Sequence, residues 1–141
     1  MKTDNQKLNK EAPKKGIKLV VLFGSQVEKK ARSDSDYDIA VLTTREKSIR
    51  ELDNYSNVLH LLCEALDIPD YKIDLTNLND ASSFLRNEIA IASQLIYGNE
   101  DDFAAFKANA MRQYIATRDL RELEEKLINK RQRILAEKIY V

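Results

Sequence analysis

The sequence predicts an α/β domain: a small mixed sheet flanked by helices, with a helical C-terminal extension. Three observations carry this. Two short apolar runs, Leu19 to Phe23 and Ile39 to Leu42, read as buried strands joined by a polar connection. A third stretch, Tyr71-Lys72-Ile73-Asp74-Leu75-Thr76, alternates with the period of a strand. Between and after these, apolar residues recur at helical spacing, and strands interspersed with helices pack as layers around one core.

The elements follow in order. Residues 1–16 are polar and Lys-rich, with Leu8 and Ala12 as apolar anchors. They fit either a short helix ending before Pro13 or a loose tail. The core is expected over 17–97, with its first strand after Gly16. Gly24-Ser25 ends that strand in a tight turn, and Ser25 is a candidate cap for a short helix through Ala31. After the second strand, Thr43 and Glu46 stand in capping-box spacing. Ile49, Leu52, Leu59, Leu62 and Leu66 then mark an amphipathic helix that Asp67-Ile68-Pro69-Asp70 ends. The third strand is expected to place Tyr71, Ile73 and Leu75 on one face and Lys72, Asp74 and Thr76 on the other. Asn79-Asp80 caps a predicted helix through Ile96, with Gly98 as its stop. Residues 98–141 read as the helical extension of the same domain. Phe103, Phe106, Ala110 and Tyr114 continue at helical spacing, and Leu120, Leu123, Leu127 and Ile134 resume it, as one long helix or two.

Composition bounds the function. The chain has 141 residues, which suits one core. Lys+Arg and Asp+Glu are both 23, so there is no basic excess of the kind a dedicated nucleic-acid binder shows. A nucleotide needs only a local field. The single Cys63 has no intramolecular disulfide partner, which suits a reducing compartment. No apolar run reaches the length of a membrane span, and the first residues lack the apolar centre of a secretory signal. A cytoplasmic protein is expected.

The chemistry concentrates in residues 18 to 42, KLVVLFGSQVEKKARSDSDYDIAVL. Asp36 and Asp38 are separated by one residue at the start of the second strand, so both carboxylates face one side, about 7 Å apart along the backbone. Like charges so placed raise each other's pKa unless a cation lies between them, and a hard divalent ion such as Mg2+ takes carboxylate oxygens. Gly24-Ser25, with no Cβ at the glycine and a hydroxyl beside it, suits a phosphate. Asp74 on the third strand can face the Asp36/Asp38 pair. Two metal ions about 3.5–4 Å apart on such carboxylates stabilise both oxygens of an in-line displacement at phosphorus.

Gly24-Ser25, ten residues, Asp36-Tyr37-Asp38 and a later strand Asp74 resemble the signature of the nucleotidyltransferase superfamily that includes DNA polymerase beta and kanamycin nucleotidyltransferase. The short length, the stretch FGSQVEKKARSDSDYDIAVL and the tail helices are similar to its minimal branch, the MntA-type antitoxins paired with HEPN-domain toxins. The resemblance implies the nucleotidyltransferase fold and an ATP-dependent, Mg2+-dependent adenylyltransferase, with two ions, that modifies a tyrosine of its cognate HEPN toxin. It assigns Gly24 and Ser25 to the nucleotide phosphates and Asp36, Asp38 and Asp74 to the metals and to catalysis. One departure stands out: the family usually has a glycine five residues after the first, where this chain has Lys29.

Blander readings compete. Ser-Asp-Ser-Asp is also a good solvated turn, and alone that reading would win. Joined to Gly24-Ser25 between two apolar runs, the site reading is favoured. Asp74 could be an ordinary exposed strand residue. His60 and Cys63 read as boundary and packing residues, and Lys29, Lys30 and Arg32 as a solvated cluster that also attracts ATP. Two other functions fit the same residues: nucleotidyl transfer to a small molecule such as an aminoglycoside, and an antitoxin acting by contact alone. The tail's apolar residues read as packing or as a partner surface.

Overall fold

A computed structural model describes residues 2–27, 35–44, 49 and 52–139. The capping box at Glu46, the far part of the helix expected from Ser25 to Ala31, and Lys29, Lys30 and Arg32 lie outside the described residues.

The first helix, α1, spans Asn5–Glu11. Asp4 caps it by accepting from the Lys7 amide, which satisfies one orphan donor. Leu8 is 1% exposed and Ala12 is buried, so the polar N-terminal segment belongs to the core rather than trailing from it. A further bond from the Asp4 amide to the Ala65 carbonyl, 2.7 Å, ties it down.

Strand β1 (Ile17–Phe23) pairs antiparallel with β2 (Tyr37–Thr43). Helix α2 (Leu52–Leu66) crosses over to β3 (Ile73–Asn77), which runs parallel to β2. Helix α3 (Ser83–Ile91) then leads into β4 (Ser93–Tyr97), antiparallel to β1 on its other side. The sheet is therefore mixed, in the order β3-β2-β1-β4. Helices α4 (Glu100–Ala116) and α5 (Arg118–Ile139) follow.

Alternation splits the core into two layers. Val20, Leu22, Ile39, Val41 and Ile73 face α1 and α2, where Val58, Leu62 and Leu66 are buried. Leu19, Val21 and Ala40 face α3 and α4, against Ile89, Phe106 and Ala110.

Three expectations need correction. The helix expected through Ile96 is shorter: Ser82 rather than Asn79-Asp80 caps it, and it ends at Ile91. The remainder, Ser93–Tyr97, is a fourth strand. A short run such as Leu95-Ile96-Tyr97 suits either period, and the open edge of β1 decides it by supplying ladder partners. Gly98 (φ 129) then turns the chain so tightly that a Cβ would lie 2.6 Å from the Lys18 carbonyl oxygen. The third strand starts at Ile73, not Tyr71. Asp70–Lys72 form a 3-10 turn, and Tyr71 is 76% exposed. Asp36 lies one residue before β2 rather than within it.

Candidate active site

The register gathers the predicted residues at one end of the sheet. Phe23 pairs with Asp38, and Asp38 pairs with Asp74. On its other side Phe23 pairs with Ser93. Ser93, Phe23, Asp38 and Asp74 thus form one row across four strands. Asp38 shares the face of Ala40, and Asp74 lies opposite Ile73 and Leu75, so both carboxylates face the α3/α4 layer. They stand at the rim where that layer's apolar packing ends, so Asp38 is half-buried while Asp36 and Asp74 are exposed.

Gly24 follows directly, in the left-handed region at φ 75. A Cβ there would fall 2.2 Å from Asp38 Oδ2 and 3.1 Å from its Cγ. The absence of a side chain therefore lets the turn close onto the carboxylate. Gly24–Gln26 form a 3-10 turn, closed by a 3.1 Å bond from the Val27 amide to the Gly24 carbonyl. Ser25, the second predicted phosphate residue, stands half-buried in this turn.

The electrostatics follow from the crowding. Burial pushes the Asp38 carboxyl above its usual range, and the negative charges of Asp74 and Asp36 push it further. A hydrogen bond between the Asp38 and Asp74 side chains acts in the same direction. A pair that shares a proton shares a space where a cation could replace it. The donor set is hard oxygen, which fits Mg2+. Among the described residues no three His, Cys, Asp or Glu side chains converge tightly enough to hold a metal as they stand. The fit rests on the Asp38/Asp74 pair, with Asp36 exposed beside it.

Two contributions had no signal in the sequence. Gln26 donates from Nε2 to the Ser35 carbonyl, 3.3 Å away, which ties the turn to the chain entering Asp36. At the far end of the sheet, the Asn79 side chain accepts from the Thr43 amide (3.0 Å) and donates to the Thr43 carbonyl (2.9 Å). It imitates a strand neighbour and locks β2 against the chain leaving β3, and with it the register that aligns Asp38 and Asp74. His60 contacts Glu64 at 2.7 Å and takes no part in the site.

The polymerase-beta nucleotidyltransferase family model matches residues 6–102. The chain belongs to this family. All five predicted site residues and the whole four-stranded sheet lie within that match. The Protein adenylyltransferase MntA of Aphanizomenon flos-aquae is 26% identical over 114 residues, covering 77% of this chain and 74% of that protein. Among solved structures, a toxin–antitoxin crystallised with AMP-PNP superposes with a TM-score of 0.65 at 22% identity, covering 89% of this chain and 98% of that one. A complex of tri-AMPylated Shewanella oneidensis HEPN toxin with MNT antitoxin gives 0.59 at 22% identity, covering 89% and 96%. The α/β sheet and helical C-terminal region are those expected from the residues, and the nucleotidyltransferase fold is the one the resemblance implied.

Proposed function

We propose that this nucleotidyltransferase is an antitoxin that transfers AMP from ATP to a tyrosine of a cognate HEPN toxin. The observation that carries the chemistry is the Asp38–Asp74 pair, set in register and closed on one side by Gly24. In this reading Gly24 and Ser25 receive the triphosphate through open backbone and a hydroxyl. Asp36, Asp38 and Asp74 would hold Mg2+, two ions when fully loaded, and the metal would supply charge neutralisation at the reacting phosphorus. Asp74, exposed at the edge strand, takes the proton of the attacking hydroxyl, because a tyrosine with a pKa of about 10 is protonated at neutral pH.

The choice of acceptor is supported by the similar adenylyltransferase and by the AMPylated toxin complex. It is also supported by α5, which exposes Leu120, Leu123, Leu127, Ile128, Leu135 and Ile139 and buries none of its residues. A protein partner would cover such a row. The protein is placed in the cytoplasm, in keeping with its free Cys63. Among the described residues no helix is long and apolar enough to cross a membrane.

The test is to incubate the protein, ATP and Mg2+ with the product of the adjacent gene and record intact mass and tandem spectra. AMP increments on a partner tyrosine are expected. An unmodified partner, with an aminoglycoside nucleotidylated instead, would move the assignment to a small-molecule acceptor. Equal inhibition of the partner by an Asp36→Asn, Asp38→Asn double variant would make it an antitoxin by contact alone.

A further inference from the structure

We propose that Ser93 is a binding residue of the active site, its hydroxyl donating to the terminal phosphate of ATP, so that the site tells a nucleoside triphosphate from a diphosphate. Among the described residues, two buried side-chain polar atoms have no hydrogen-bond partner, the Arg86 Nε and the Ser93 Oγ. The Arg86 guanidinium lies 5.4 Å from the centroid of the Phe106 ring, so it meets an aromatic face in place of a bond. The Ser93 hydroxyl has no such substitute. A buried donor left unpaired carries its full desolvation cost, and native folds keep few of them.

Its place in the sheet says what completes it. Ser93 opens β4 and pairs with Phe23, the last residue of β1 before Gly24. Two neighbours fix its face. Leu95, two residues on, packs in the α3/α4 layer, and so does Phe23 directly opposite. Residues two apart on a strand, or paired across two strands, share a face. The Ser93 side chain is therefore on the face that carries Asp38 and Asp74, at the same end of the sheet. Strands about 4.8 Å apart put Ser93 about 10 Å from Asp38, with β1 and the start of the Gly24 turn between them. Ser93 as a whole is half-buried, so its inward hydroxyl belongs to a residue with an open flank. One step about χ1, between staggered wells, turns the hydroxyl outward.

The row also has a direction. In-line displacement puts the attacking oxygen, the phosphorus and the leaving oxygen on one line. This rests on the proposed function, in which the acceptor approaches at Asp74 and the phosphates lie at Gly24 and Ser25. Across the strand order β3-β2-β1-β4, attack from the β3 edge sends the leaving group past β1 toward β4. The acceptor oxygen bonds to the α-phosphorus, and its proton passes to the Asp74 carboxylate. The bond from the α-phosphorus to the bridging oxygen breaks, and pyrophosphate leaves with the electron pair, its far phosphate at Ser93. A hydroxyl donating to a phosphate oxygen makes a charge-assisted bond, stronger than one to a neutral acceptor.

The experiment is calorimetric titration of the full chain with ATP and with ADP, each with Mg2+, in wild type and Ser93→Ala, beside thermal melts without nucleotide. Wild type is expected to bind ATP more tightly than ADP. Ser93→Ala is expected to weaken ATP binding about 10-fold, as loss of one hydrogen bond to a charged group does, and to leave ADP binding unchanged. Its melting temperature without nucleotide should not fall, since the hydroxyl it loses has no partner. Equal losses for ATP and ADP, or no loss for either, would overturn the inference, and AMP transfer to the partner by wild type would leave the proposed function standing. A clearly lower melting temperature would overturn it likewise, making Ser93 a structural residue. Wild type that binds neither nucleotide would overturn both.

Discussion

Asp38 holds its proton more tightly than a free aspartate because burial disfavours its charge and Asp74 and Asp36 add two more negative charges. The consequence for stability has a definite sign. A carboxyl raised in the folded chain contributes stability below the ordinary aspartate range and loses it as pH rises through the raised value. At neutral pH without divalent cation, Asp38→Asn is therefore expected to melt higher than wild type. The gap should close as the buffer is taken down to about pH 3, below both values. The same variant is expected to lose transfer by about 100-fold or more, as sites do when a charge-stabilising group is removed. Thermal melts across pH and AMP transfer rates check the two halves separately, and a variant that melts lower at neutral pH would contradict the crowding of these carboxylates. Gly24→Ala meets two obstacles at once. The left-handed backbone costs about 1–2 kcal/mol for a residue with a Cβ, and that Cβ would press on Asp38 Oδ2. Denaturant unfolding should show the first cost, and calorimetric titration with ATP should show lost binding. Asp74→Asn, by contrast, is expected to slow transfer much more than it weakens ATP binding.

The elements differ in how plainly they could be read beforehand. The β1–turn–β2 unit was legible because two apolar runs flank a turn and an aspartate pair at fixed spacing. Strand β4 was not, because Ser93–Tyr97 is a strand only by virtue of β1's open edge. Tyr71 was misread because its alternation with Ile73 looks the same whether or not Asp70–Lys72 close a 3-10 turn. Asp36 and Asp38 were singled out by spacing and Asp74 by strand alternation, whereas Gln26 to Ser35 and Asn79 to Thr43 are contacts between residues whose separation carries no periodic signal. Helix α1 was left open between helix and tail, and its 7 residues are too few to form a helix alone. Packing therefore makes it. Leu8→Ala is expected to cost about 2–5 kcal/mol, the range for emptying a buried leucine site. Urea unfolding measures this, and a cost near zero would mean that α1 is an ornament rather than part of the core.

The whole molecule divides into a packed part and an unpacked one. The sheet, α1 to α3 and the Phe106–Ala110 side of α4 share two apolar layers. Helix α5 joins them through Thr117 and is held to α4 by Arg121, which donates to the Tyr114 carbonyl at 2.8 Å and also contacts the Thr117 hydroxyl. Cutting the chain after Thr117 is expected to leave the melting temperature of the core nearly unchanged and to abolish capture of the proposed HEPN partner, read by co-purification. A truncated chain that still held its partner would place the interface elsewhere. Beyond Arg121, a helix of 22 residues with nothing buried has little besides its own propensity against fraying. Its amides should exchange with deuterium long before those of β1 and β2, and a protease should nick it first. A partner lying on that row, as proposed, would close both windows. On the proposed function, the lifetime of the protein in a cell would then be a reading of how much partner is present, short when it is alone and long when it is covered.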